Sequence, residues 1–109
     1  MNTPGLGLRQ GTPRLPLLIG WVSYYNTYMD ILAAALKHGI AAEEILHAID
    51  NALAVDEVAE DPIRYLILGP NLGGNLLEIV ILDRPNGPCV IHAMKMREKY
   101  RVLLPRTGE

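Results

Sequence analysis

Hydrophobic positions recur with two different periods along the chain, and the first of these predicts helices. Between residues 27 and 53 apolar side chains repeat every three or four positions, which is typical of amphipathic α-helices. The first helix is predicted to begin with Thr27 as N-cap and Asp30 in capping-box position, and to end before Gly39. A second helix is predicted over about 42 to 53, antiparallel to the first.

The period then changes to two, which predicts strands. The segments 63–69, 76–82 and 89–94 are rich in β-branched and leucine side chains and are separated by glycine- and proline-containing turns. Residues 54–58 are predicted as a short edge strand, and the "WVSYY" segment at 21–25 as a first strand.

The predicted fold class is α+β: an antiparallel sheet of three to four strands packed by an N-terminal helix pair. Residues 1–20 contain glycine and proline without periodicity and are predicted to be a flexible tail. A single domain is expected over 21–105, with a C-terminal tail at 106–109. The "REKYRVLL" segment that ends at Pro105 is predicted as a last short helix or strand.

Charge is distributed unevenly, although the net charge is only −2. Residues 41–61 contain seven acidic side chains and no Lys or Arg, whereas residues 92–101 contain four basic side chains against one Glu. The basic segment is therefore the candidate for contact with a polyanion such as RNA.

The composition also predicts where the protein works. The single cysteine, Cys89, excludes an internal disulfide framework and fits a reducing compartment. The apolar run at 15–22 is too short to span a bilayer, and no signal peptide is recognisable. We therefore expect a cytoplasmic protein without a membrane partner.

Three polar side chains on the predicted strands could carry chemistry. Arg64 shares a strand face with Leu66 and Leu68, and alternation predicts that His92 shares one with Val90 and Met94. If the strand register brings Arg64, Glu78 and His92 together, the arginine could hold a phosphate. The glutamate and histidine could then exchange protons with a ribose hydroxyl and a leaving oxygen. These are the candidate catalytic residues of a metal-independent ribonuclease. The candidate RNA-binding residues follow in the basic segment: Lys95, Arg97, Lys99, Tyr100 and Arg101.

Each of these residues also has a structural interpretation. Glu78 could pair with a nearby arginine for stability alone, and His92 could be a structural residue near a sheet edge. The run "KMREKYR" could be a solvated helix face, and His38 could serve the end of the first helix. The spacing of the three histidines and one cysteine matches no common zinc pattern, and "GPNLGG" joins two strands and does not precede a helix. No cofactor is predicted.

Three phrases resemble the BrnT family of ribonuclease toxins, which have a RelE/ParE-like fold. They are "LKHGIAAEEILHAIDNALAV" (36–55), "DPIRYLILGPNLGGNLLEIVIL" (61–82) and "VIHAMKMREKY" (90–100). The resemblance places Lys37 and His38 on the family's Lys-His pair, and Arg64 and Lys95 on basic positions of its motifs. Glu98 and Tyr100 fall loosely on the family's closing acid and aromatic. The chain has His-Ala-Met at 92–94 where the family has Ser-Ala-Arg, as in a divergent, toxin-like branch.

This resemblance implies the toxin of a bacterial type II toxin–antitoxin system that cleaves mRNA, on or off the ribosome. The implied protein partner is an antitoxin of the ribbon-helix-helix type, and a homodimer is left open. The alternative is a non-catalytic toxin-like module that binds a protein or DNA in a regulatory complex.

Overall fold

The computed structural model describes residues 29–105, which form an α+β fold with a five-stranded mixed sheet. The strand order is β1-β5-β4-β3-β2, in which β1 is parallel to β5 and all other neighbours are antiparallel. The elements are β1 (Asp30–Ile31), a 3₁₀ helix (Ala33–Leu36), α1 (Ala42–Asp50), β2 (Ala54–Ala59), β3 (Arg64–Pro70), β4 (Leu76–Leu82), β5 (Cys89–Lys95) and a C-terminal 3₁₀ helix (Glu98–Leu103).

The period-two segments are strands, as the sequence predicts. Their bounds differ from the predicted ones by one residue at most. Strand β4 occupies the predicted 76–82, and the predicted edge strand at 54–58 is β2. Turns that contain glycine and asparagine join β3 to β4 and β4 to β5. The strands themselves are rich in leucine and β-branched side chains, so local propensity and long-range pairing agree here.

The predicted N-terminal helix pair is wrong in its first member. Asp30 and Ile31 form a strand that pairs with Cys89 and Val90, and only a 3₁₀ helix of four residues follows. Arg84 Nη2 donates a hydrogen bond of 2.7 Å to Asp30 Oδ2. The Asp30 side chain therefore binds the loop between β4 and β5 and does not cap a helix. Within the described residues the sheet is therefore mixed and has five strands, and a single α-helix covers it.

The larger core lies between α1 and one face of the sheet. Its fully buried members include Ile45 and Ala48 from the helix and Ile67, Ile79 and Ile81 from the strands. Gly69 permits the close approach of the two layers, because a β-carbon there would clash with the main-chain oxygen of Ala48. The helix is thus held against the centre of the sheet.

The opposite face of the sheet carries a smaller apolar cluster, which is covered by residues 96–104, here called the C-terminal segment. Ala54, Leu66 and Leu68 are buried in it. Met96, Tyr100, Leu104 and Val80 pack against them. The chain leaves β5, crosses back over the sheet and covers a patch that α1 does not reach. This second face contains the candidate site.

Some predictions fall outside the described residues. They are the strand at 21–25, the N-cap at Thr27 and the tails at 1–20 and 106–109. Within 29–105 no helix has the length and apolar character needed to cross a membrane.

Candidate functional site

Glu78 is a buried carboxylate in the middle of β4 and the centre of the candidate site. It lies on the second face, because its partners across the sheet are Leu68 of β3 and Met94 of β5. Arg97 encloses it: the Arg97 main-chain N–H donates to Oε1 at 2.8 Å, and Nη2 donates to Oε2 at 2.7 Å. Arg97 Nε lies 3.1 Å from both oxygens. A buried charge paired by several donors in this way is tolerated, whereas an unpaired one would be costly.

The surroundings of Glu78 act on its pKa in opposite directions. Burial raises the pKa, because it disfavours the charged form. Hydrogen bonds from the Arg97 side chain, the Arg97 main chain and His92, together with the Arg97 charge, outweigh burial and hold the pKa below its ordinary value. Glu78 is consequently ionised at neutral pH and accepts hydrogen bonds only.

Strand β5 contains a β-bulge beside His92, which separates the face of His92 from that of Val90. Val80 is paired with His92 but the next residue, Ile81, is paired with Val90, so Ile91 is the extra residue. The bulge places Val90 in the larger core. His92 lies on the face of Glu78, with Nε2 3.0 Å from Glu78 Oε2. The prediction that His92 and Val90 share a face is therefore wrong, whereas Met94 lies on the side of His92 as predicted.

A second imidazole lies beside the first. The ring of His38, in the turn after the first 3₁₀ helix, packs edge-on against the ring of His92 with 5.7 Å between centroids. The His92 side chain remains 26% exposed and His38 is exposed, so a ligand can reach both. Gly39, with φ of +82°, turns the chain directly after His38. The structure thus brings together two imidazoles that are distant in the sequence.

Cationic side chains continue the site along the C-terminal segment. The Arg97 guanidinium carbon lies 5.6 Å and the Lys99 Nζ 5.1 Å from the centre of the Tyr100 ring. The Arg97 side chain is 48% exposed although it contacts Glu78, so part of its guanidinium faces solvent. Arg101 is paired with Glu98 through a contact of 2.6 Å. Two exposed cations beside the half-buried ring of Tyr100 favour binding of a phosphate with an adjacent base.

Two of the predicted site residues lie elsewhere. Arg64 is on the same face as Glu78, but it is opposite Leu82, about 13 Å along the strands from the level of Glu78. Lys95 is opposite Leu77, a member of the larger core, so alternation directs Lys95 to the other side of the sheet. Arg64 therefore lies too far along the strands to contact Glu78, whereas Glu78 and His92 do meet. Among the described residues, Arg97 is the arginine that contacts Glu78.

Sequence patterns miss the contacts of Arg97 and His38. They predict Arg97 only as an RNA-binding residue, because its position depends on the chain turning back after Met96. They indicate a helix-end role for His38, and only the Lys-His phrase of the resemblance singles it out. Neither contact follows from periodicity, since both join segments far apart in the sequence.

No group of three or more His, Cys, Asp or Glu side chains within residues 29–105 is arranged to hold a metal ion.

Comparison with protein-family models, with curated proteins and with solved structures finds no match to this chain. The chemistry available at the site is proton exchange by two imidazoles next to an exposed cationic cluster.

Proposed function

We propose that this protein is the toxin of a bacterial type II toxin–antitoxin system and cleaves RNA without a metal ion. The observation that carries the proposal is the pair of imidazoles, His38 and His92, of which the second is held by an ionised buried carboxylate. A RelE/ParE-like fold, membership of a divergent BrnT-like branch and a cytoplasmic location belong to the same proposal.

The reaction that suits two imidazoles is transphosphorylation of RNA. One imidazole removes the proton of a ribose 2′-hydroxyl, and the 2′-oxygen then bonds to the adjacent phosphorus. The bond from phosphorus to the 5′-oxygen breaks, and the other imidazole gives that oxygen a proton. The products are a 2′,3′-cyclic phosphate and a 5′-hydroxyl end. Arg97 and Lys99 would bind the phosphate, and Tyr100 would stack on a base.

Cleavage of a labelled RNA by the purified full chain in the presence of EDTA tests the proposal. His92→Ala and His38→Ala should each lower the rate about 10²- to 10⁴-fold, because each removes one proton-transfer group. His47→Ala is the matched control, since His47 belongs to α1 on the opposite side of the sheet. The new ends should be a cyclic phosphate and a 5′-hydroxyl. Unchanged cleavage by His92→Ala would assign the activity to another site or another protein.

Growth of an expressing bacterium gives a second measurement. Induction of the chain should stop growth, His92→Ala should restore it, and co-expression of a ribbon-helix-helix protein encoded beside the gene should also restore it.

The alternative function is a non-catalytic binding module. One observation favours it: the contact between Glu78 and Arg97 has a structural role, because it holds the C-terminal segment on the sheet. A chain that is harmless and cleaves no RNA would be that module.

The salt dependence of RNA binding tests the cationic cluster separately. For single-stranded RNA each phosphate contact contributes about −0.7 to the slope of log K against log salt. Lys99→Ala should therefore make the slope shallower by one such step. Lys95→Ala is the control, because Lys95 lies on the other side of the sheet. Equal effects of the two variants would contradict binding at this cluster.

A further inference from the structure

The contacts of Glu78 restrict which nitrogen of His92 can carry a proton. Glu78 Oε1 accepts from the main-chain N–H and Nε of Arg97, and Oε2 accepts from Nε and Nη2. An ionised carboxylate has no proton to donate. The remaining contact, 3.0 Å between Oε2 and His92 Nε2, is a hydrogen bond only if Nε2 bears the hydrogen.

We infer that Glu78 fixes His92 in the tautomer protonated at Nε2, so that Nδ1 is the nitrogen through which His92 gains and loses protons. A neutral imidazole carries one N–H, so a proton on Nε2 leaves the lone pair on Nδ1. The opposite tautomer would place the lone pair of Nε2 against that of Oε2, 3.0 Å away. In the described residues no donor other than Arg97 and His92 is in hydrogen-bond contact with the Glu78 carboxylate.

Within residues 29–105, the titratable and charged groups that contact His92 or its partner Glu78 come from three segments. They are Glu78 of β4, Arg97 after β5 and His38 after the first 3₁₀ helix. Arg97 directs its donors at Glu78, and His38 meets the His92 ring edge-on. Of the three, only Glu78 makes a hydrogen bond to a His92 ring nitrogen.

This assignment deepens the proposed function and rests on it for the role of Nδ1 in RNA cleavage. The same atom serves whether His92 acts as acid or base, because the Nε2 proton stays on the Glu78 hydrogen bond in both forms. Glu78 is then a positioning residue and no longer a candidate general base. The arrangement matches the general rule that the partner of one imidazole nitrogen decides which nitrogen reacts.

Glu78→Gln provides a nearly isosteric test. The new amide oxygen should take the position of Oε1, because the Arg97 main-chain N–H there is fixed, whereas the Nη2 group can turn away. The amide NH₂ then faces His92 Nε2 and donates to it. The substitution should therefore reverse the tautomer and place the His92 proton on Nδ1.

Long-range ¹H–¹⁵N correlation spectra of the histidine-labelled full chain near pH 7.5 decide the matter. In the parent, His92 Nε2 should have the shift of a protonated nitrogen and Nδ1 that of an unprotonated one. His92→Gln identifies the resonances by their disappearance, and His47 should be unchanged in Glu78→Gln. A parent His92 protonated at Nδ1 overturns the assignment, as does a folded Glu78→Gln protein with an unaltered His92 tautomer. The parent spectrum alone is decisive where Glu78→Gln does not fold.

Cleavage kinetics separate this inference from the proposed function. Glu78→Gln should lower kcat about 10²-fold and leave KM nearly unchanged, because the reacting nitrogen is lost while Arg97 and Lys99 remain. A parent with the Nε2–H tautomer that cleaves no RNA would remove the proposed function and keep the assignment. A parent with the Nδ1–H tautomer that does cleave RNA would overturn the assignment and keep the function.

Discussion

The two faces of the sheet are stabilised in different ways. The face under α1 is closed by aliphatic side chains such as Ile45, Ile67 and Ile79, whose contribution depends on buried area and not on direction. The face under the C-terminal segment has a smaller apolar cluster and a fully buried carboxylate, Glu78. Hydrogen bonds to that carboxylate depend on distance and angle, so they fix positions that apolar packing leaves free. The face under α1 therefore supplies most of the stability, and the face under the C-terminal segment fixes the positions of the side chains that contact Glu78.

Ile79→Ala should give the largest change in stability. Ile79 is fully buried at the centre of the face under α1, so truncation leaves a cavity and should cost about 2–5 kcal/mol. Urea denaturation followed by circular dichroism measures this loss. Val102→Ala is the control, because Val102 is exposed and should cost little. Equal losses from both variants would mean that the face under α1 is not the main source of stability.

Gly69→Ala should force α1 away from the sheet. The new methyl group would meet the main-chain oxygen of Ala48, which cannot move without the helix, and we expect a loss of about 1–3 kcal/mol. Gly73→Ala is the matched control, because its β-carbon would meet only side-chain atoms of Asn71 and Asn75 at 3.5 Å. A Gly69→Ala protein as stable as Gly73→Ala would contradict the close approach of the two layers.

Acid should weaken the face that contains Glu78. Its folded pKa lies below the ordinary value of 4.5, so as pH falls the unfolded chain takes up this proton first. The contribution of Glu78 is thus fully present above about pH 4.5 and is lost as pH falls through the lower, folded pKa. Glu78→Gln should remove this pH dependence and on the order of 1 kcal/mol of stability near pH 7. The urea midpoints of parent and variant, measured between pH 7 and pH 3, should converge at acid pH. Parallel curves of midpoint against pH would contradict the lowered pKa of Glu78 in the folded protein.

The smallest effect is expected at the exposed pair of Glu98 and Arg101. Both side chains are largely exposed and three residues apart, so Glu98→Gln should cost about 0.2–0.5 kcal/mol, and less at high salt. The comparison with Glu78→Gln separates a buried carboxylate from an exposed one in the same region. A loss from Glu98→Gln as large as that from Glu78→Gln would show that burial is not what distinguishes them.

Local patterns predict the elements of this molecule better than the contacts between them. The strands β3, β4 and β5 follow from alternation and turn residues, and α1 follows from its apolar spacing and acidic first turn. The spacing of Ile31, Leu32, Ala35 and Leu36 also fits a helix, yet Asp30 and Ile31 pair with β5. That pairing depends on residues nearly sixty positions away, which no local pattern contains.

The site can be predicted only in part for the same reason. Glu78 and His92 stand out as polar residues in apolar strands, and they are in contact. Arg64 is expected beside them only if the strand register allows it, and alternation within a strand does not give that register. In the structure Arg64 shares the face of Glu78 but lies opposite Leu82. Only the structure shows that Arg97 contacts Glu78 and that His38 contacts His92. Both contacts depend on how the chain turns, after β5 for Arg97 and after the first 3₁₀ helix for His38.

The extra residue in β5 has a consequence for protein engineering. Val90 and His92 already oppose neighbouring residues of β4, so a hairpin shortened by Ile91 alone would be a regular ladder with His92 still facing Glu78. Removal of Ala93 instead would transfer one end of the strand to the wrong side of the sheet. A designer who transplants this hairpin can therefore dispense with Ile91 more safely than with any residue that has its own partner.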